Sequence, residues 1–360
     1  MSKIITLPGL IDTHVHLREP GATQKEDFQT GTKAAIAGGF TQVLDMPNNP
    51  IATINPEALS SKKKLAEGRV YCDIGFHFGA SESSVQYFPQ VAEQVFGLKV
   101  YMNQTTGDLL MSDDQVLEKV FSSWPKEKVL MVHAEGETLE KAISLAKRFG
   151  NKQSLRSGDL KLHVCHVSLK REIELIKAAK AEGMKISCEV ACHHLFLKDT
   201  DVERLGSYGM MKPPLESKED QEVLWQAVID GTIDIVASDH APHTREEKMG
   251  EKPMFGVPGL ETTLPLLLTA VNDGRLSLDR LIELTHTNPK RIFSLPEQEN
   301  TFVEVDPAIR YTLNAERLFT KCGWTPFNGM EVTGRVKKVV LREQLVYDGQ
   351  NIFGPYGKVI

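Results

Sequence analysis

Eight short apolar runs, spaced along the first two-thirds of the chain, set the tightest limit on how it folds. They read GLIDTHVHL, TQVLDMPN, CDIGFHFGA, GLKVYMN, VLMVHAE, LHVCHVS, KISCEVACHH and IDIVASDHAP. Nearly continuous apolar character marks strands covered on both faces, as in a parallel sheet flanked by helices. Between most of them lie helical patterns. REIELIKAAKAEG repeats apolar residues at three- and four-residue spacing, and EDFQTGTKAAIAGG stops at glycines, as helices often do. Eight strands alternating with helices predict an α/β fold, a (β/α)8 TIM-like barrel. An open doubly wound sheet is the runner-up, but it would not gather the polar ends of strands one, four, five, six and eight.

Those ends are reactive: His14 and His16, Asn48, Lys99, His133, His166, Glu189 and Asp239. In a barrel all strand C-termini open on one face, so these distant residues converge there. Beyond Asp239 the chain shows helix signals in GLETTLPLLLTAV and SLDRLIELTHTNPKRIFSL, then changes character near Pro296. FVEVD and EVTGRVKKVVLREQLVYDGQ read as short strands and turns. The predicted organisation is a barrel over 9–295 with a small β-rich appendage from 1–8 and 296–360.

A net charge of −6 gives no electrostatic reason to expect nucleic acid or an anionic membrane as partner. No apolar run reaches the ~18 residues of a membrane span, and MSKIITLPG is too short and mixed for a signal peptide. Five scattered cysteines, an odd number, favour reduced thiols and a cytoplasmic setting. CEVAC has no second cysteine pair, so a structural zinc knuckle is not expected there.

Neutral imidazoles suit zinc and similar metals, and a carboxylate completes such sites. His14 and His16, two apart on a strand, point to one side and can grip one ion. His133 and His166 end the fifth and sixth strands and can hold a second, and Asp239 lies beside the first strand once the barrel closes. Two metals need a bridging anion, which none of these histidines supplies. Lys99 ends the fourth strand; its amine, once deprotonated, can add carbon dioxide to give a bridging carbamate. Cys165 precedes His166 by one, so on a regular strand it faces away from the pore. Arg18, just past the first strand, offers the planar fork that binds carboxylate.

PGLIDTHVHLREPG, DMPNNP, GLKVYMN, VHAE, HVCHVS and SDHAPH resemble the amidohydrolase superfamily. More narrowly they are similar to dihydroorotases of the kind fused into the animal multifunctional pyrimidine-synthesis protein. The resemblance runs from Leu7 nearly to the C-terminus. It implies reversible cyclisation of N-carbamoyl-L-aspartate to L-dihydroorotate over two zinc ions bridged by carboxylated Lys99. A bridging hydroxide is then the nucleophile and Asp239 the general acid and base. Substrate contacts implied are Arg18, Asn48, His243 and Gly256, with Thr105 and Thr106 on a closing loop, NQTTGDLLMSDD. The animal-type form further implies a third zinc held partly by Cys165 and Glu189, with His194 nearby.

Two departures stand out. MKPPLES places Lys212 where many bacterial relatives carry asparagine and the animal form arginine. The chain also enters the first barrel strand almost at once. That suggests a domain cut from a larger polypeptide, with carbamoyl-phosphate synthetase and aspartate transcarbamoylase as covalent neighbours. A homodimer is implied by the family. Other readings are a different cyclic amidohydrolase (hydantoinase, dihydropyrimidinase or allantoinase), which has no need of Arg18, and a non-catalytic homologue.

Overall fold

The chain opens with a strand, β1 (Ile5–Pro8), and then enters the barrel, whose strands follow the eight apolar runs. They are β2 (Leu10–Val15), β3 (Phe40–Asp45), β4 (Asp73–Gly79), β5 (Gly97–Tyr101), β6 (Val129–His133), β7 (Lys161–Val164), β8 (Ile186–Ala191) and β9 (Ile235–Ala237). All pair in parallel and in sequence order. A parallel bridge between Val15 and His240, with His16 N donating to His240 O at 2.8 Å, joins the last strand back to the first. The computed structural model describes residues 4–150 and 160–360, so the first three positions of the expected appendage lie outside the described residues.

Alternation along each strand divides the apolar side chains into two layers. Val43, Ile74, Leu98, Leu130, Leu162 and Val190 face outward and pack with Phe28, Leu59, Leu117, Ile173 and Leu224 of the surrounding helices. Ile11, Leu44, Met131, Cys165 and Ile235 fill the barrel interior. The helices begin where local chemistry satisfies their first amides. Asp27 accepts from Thr30 N ahead of Phe28–Ala37, and Asn55 accepts from Ala58 N ahead of Pro56–Ala66, whose first residue has no N–H to satisfy.

A second sheet is antiparallel, ordered β1, β10 (Phe302–Thr312), β11 (Glu331–Leu341), β12 (Gln344–Tyr347). The chain's first strand and its late strands thus build one unit beside the barrel. The final residues leave this sheet: Gly357 N donates to Val70 O at 3.0 Å and Ile360 N to Ile74 O at 2.9 Å, against the start of β4. Among the described residues no helix is long and apolar enough to cross a membrane.

Candidate functional site

Local irregularities aim the reactive side chains at the barrel mouth. Asp12 pairs with Val43 but Val15 with Asp45, so β2 carries one extra residue against β3. That bulge resets the alternation. Thr13 faces inward, donating to Glu189 Oε2 at 3.1 Å, yet His14 also faces inward onto Glu189. Arg18, His166 and Asp239 adopt left-handed backbone, with φ of 62°, 32° and 45°. Non-glycine residues there carry local strain, which the fold sustains where a side chain must be turned to a task.

Cys165 corrects the alternation argument. Val164 is outward and Cys165 inward, among the barrel-interior residues, where its thiol receives Lys99 Nζ at 2.9 Å. His166, next in sequence, also reaches the mouth because its positive φ swings it back. Both neighbours therefore face the site. His14, Cys165 and Glu189 form one donor group and His14, His16 and Asp239 another, each with ligand atoms within 4.8 Å.

The second group is short of protons. His14 engages Glu189 through Nδ1, and His16 Nδ1 meets Asn48 Oδ1 at 2.8 Å. Both Nε2 atoms then stand 3.3 Å from the same oxygen, Asp239 Oδ1. Burial, with Lys99 second, lowers His14 to about 4, and burial, with Arg18 second, holds His16 well below its ordinary value. Two imidazole lone pairs thus face a carboxylate oxygen with no hydrogen to share. A cation resolves that repulsion, so these residues fit a metal. Carboxylate behind a ligating histidine is the usual orienting arrangement, and Glu189 supplies it. Burial opposes its charge, but His14 and His163 outweigh this and hold it well below the carboxylate range.

His133 and His166 stand beside this group, their ring centroids 4.4 Å apart and His166 5.3 Å from His14. His133 Nε2 lies 2.9 Å from Glu135 Oε1, which leaves Nδ1 as the free nitrogen. Buried His166 Nδ1 has no hydrogen-bond partner among the described residues. Lys99 is fully buried, and among the described residues no carboxylate comes within 4.0 Å of it.

A narrow cleft opens over these groups. It is lined by twelve of the residues expected from sequence: His14, His16, Arg18, Asn48, Lys99, Thr105, Thr106, His133, His166, Lys212, Asp239 and Gly256. Gly256 has φ +131°, and a Cβ there would fall 2.6 Å from Ala241 O, so only glycine permits this wall. Asn48 is engaged at both ends, by His16 and by Thr106 O at 3.0 Å, and links a donor to the covering loop. His243 does not line the cleft; it is buried behind Arg18. His194 Nε2 faces the carbonyls of Pro213 and Pro214 at 3.2 Å, in neither donor group.

Tyr101, Ala241 and Phe255 also line the cleft and were not singled out by sequence. Glu135 was missed as well, although its place two residues after His133 in VHAE puts both on one side of an extended segment.

Residues 5–302 match the model of the amidohydrolase family. Over 359 residues the chain is 45% identical to multifunctional protein CAD of Squalus acanthias, covering 99% of this chain but only 16% of that protein. It is 33% identical over 394 residues to a dihydroorotase of Methanosphaera stadtmanae, covering 97% of this chain and 87% of the relative. The L-hydantoinase (dihydropyrimidinase) of Arthrobacter aurescens superimposes with a TM-score of 0.92 at 26% identity, covering 99% and 88% of the two chains. An inactive dihydroorotase-like domain of a Chaetomium thermophilum CAD-like multifunctional protein superimposes at 0.83 with 28% identity and 99% coverage of both.

Proposed function

The chain belongs to the amidohydrolase family, and on that premise we propose that it is a dihydroorotase, closing N-carbamoyl-L-aspartate to L-dihydroorotate with loss of water, and the reverse. One observation carries this reading. The cleft sets two cationic side chains, Arg18 and Lys212, above the histidine–carboxylate cluster, and neither is in an ion pair among the described residues. A cyclic amide bearing an exocyclic carboxylate suits that lining: the ring amide meets the donor cluster and the carboxylate meets Arg18. N-carbamoyl-L-aspartate has a second carboxylate, for which Lys212 is the available point charge.

His14, His16 and Asp239 would hold one divalent ion, zinc by the donor types, and His133 and His166 a second, with Lys99 carrying a carbamate between them. A third ion would take Cys165, Glu189 and His14 Nδ1, in place of the hydrogen bond between His14 and Glu189. When bound, such ions polarise a carbonyl and bring the pKa of water near 7. Asp239, raised above its ordinary value by burial, is placed to take a proton during ring opening and deliver it to the departing amide nitrogen. In ring closure it relieves the attacking amide nitrogen of its proton. Asn48 and Thr106 keep the covering loop down, and Arg18 orients the substrate. The chain spans about a sixth of the multifunctional relative and most of the dihydroorotase relative, and its higher identity to the former supports covalent linkage to carbamoyl-phosphate synthetase and aspartate transcarbamoylase activities. The family resemblance supports a homodimer, and the scattered cysteines a cytoplasmic setting.

The test is metal content measured alongside L-dihydroorotate hydrolysis, for the wild type and Arg18→Met. Two or more zinc ions per chain and turnover are expected. Arg18→Met should keep its metal and lose about 2–4 kcal/mol in kcat/KM, at least about thirtyfold, because a charged hydrogen-bond partner is gone. Unchanged rates in that variant would shift the substrate to a ring without the carboxylate. Metal-free, inactive wild type would leave a non-catalytic homologue.

A further inference from the structure

His243 is held between two cations, and its ring nitrogens meet different partners. Nδ1 lies 3.2 Å from Lys25 Nζ; Nε2 lies 2.9 Å from Phe255 O and 3.1 Å from Arg18 Nη2. Glu247 places one oxygen 3.0 Å from Lys25 Nζ and the other 3.5 Å from His243 Nδ1. An ammonium only donates and a carbonyl only accepts. The single state that serves both is a neutral imidazole accepting at Nδ1 and donating from Nε2.

The opposite tautomer would set Nδ1–H against Lys25 and take from Phe255 O the shorter of its two contacts, leaving Thr106 Oγ1 as its donor. The imidazolium would add a third positive charge beside Arg18 and Lys25 in a buried place. Burial first, then Arg18, Lys25 and Lys248, push His243 far below its ordinary value. With hydrogen on Nε2, Arg18 Nη2 faces another donor and cannot bond there. Arg18 Nε is anchored on Pro242 O at 3.0 Å, so the guanidinium is fixed at its base while its end nitrogens stay free.

We propose that Lys25 is a positioning residue for the substrate carboxylate. By donating to His243 Nδ1 it fixes the Nε2–H tautomer, which denies Arg18 an internal acceptor and reserves its guanidinium for the ligand. The same tautomer holds Phe255 O, which also receives Thr106 Oγ1 at 3.3 Å, so the covering loop rests on the same link. The dihydroorotase reading enters only as the identity of the anion. Without Lys25, Glu247 becomes the partner of Nδ1. The imidazole proton moves there, and Nε2 turns into an acceptor that draws Arg18 inward.

Two measurements test this. Long-range 1H–15N spectra of ligand-free protein with labelled histidine, assigned with His243→Asn, report the tautomer without any substrate. Steady-state hydrolysis of L-dihydroorotate reports KM and kcat. Wild type should show unprotonated Nδ1 and protonated Nε2. Lys25→Met should protonate Nδ1 and raise KM about tenfold, with kcat within about threefold, and Lys25→Arg should restore both. Protonated Nδ1 in wild type overturns the proposal, as does a Lys25→Met protein whose KM stays within about twofold. If Lys25→Met does not fold, the wild-type spectrum still decides the tautomer. Absence of dihydroorotate turnover in wild type would remove the dihydroorotase reading, and the spectra alone would then decide the role of Lys25.

Discussion

Lys62→Met should destabilise this protein more than an ordinary surface lysine change, and in a pH-dependent way. Lys62 and Asp45 are both fully buried, with Nζ 2.6 Å from Asp45 Oδ2. Nζ also donates to Met46 O at 2.8 Å and to Asn49 Oδ1 at 2.6 Å, and Asp45 Oδ1 accepts Leu17 N at 2.7 Å. The ion pair therefore ties together the two segments that carry His16, Arg18 and Asn48. Methionine fills most of the volume but leaves Asp45 buried and alone, a change that costs about 3–5 kcal/mol. At about 2.1 cal/mol/K per residue, 360 residues unfold with about 0.75 kcal/mol/K, so the thermal midpoint should fall about 4–7 °C. Burial already holds Asp45 above its ordinary value with Lys62 present. In the variant the folded protein binds a proton there more tightly than the unfolded chain does, so its stability falls as pH rises. The deficit against wild type should be smaller near pH 5 than near pH 8. Adding Asp45→Asn should recover at least half of it, since the lone charge is gone and Leu17 N keeps an acceptor. Calorimetric scans across that pH range are the assay. A midpoint within about 1 °C of wild type, or a deficit that widens on acidification, would refute the reasoning.

Glu135→Gln should weaken metal binding about 10–100-fold without unfolding the chain, because the amide orients His133 less firmly than the carboxylate now 2.9 Å from Nε2; titration of chelated protein with zinc reads it. Gly256→Ala should destabilise by about 1–3 kcal/mol and narrow the cleft, given its φ of +131° and the 2.6 Å approach to Ala241 O; denaturant unfolding and KM check both. Tyr101→Phe should leave the ligand-free midpoint within about 1 °C, since its buried hydroxyl has no hydrogen-bond partner among the described residues. A midpoint drop of several degrees would show that the hydroxyl is bonded.

The strands were legible because burial on both faces leaves a run that only a covered parallel strand tolerates, and because a barrel puts every strand end on one rim. Position was therefore readable from spacing, and orientation was not. Alternation places Cys165 relative to Val164 correctly once the strand's inward face is known, but no periodicity announces that His166 then takes φ 32° and turns back to the same side. Nor does IDTHVHL announce a bulge; two histidines two apart would share a face on any strand, and the extra residue decides that it is the inward one. His243 shows the same limit from the other direction. The resemblance implied a substrate contact there, but His243 lies behind Arg18, and the carbonyl of Phe255 and the amine of Lys25 decide which nitrogen carries hydrogen. These partners come from segments far apart in sequence, and their effect is on a proton, not on a contact. A chain can keep every motif residue of such a site and still bind its substrate more weakly if one distant donor such as Lys25 is lost, because what the guanidinium of Arg18 binds depends on what the imidazole beside it declines to accept.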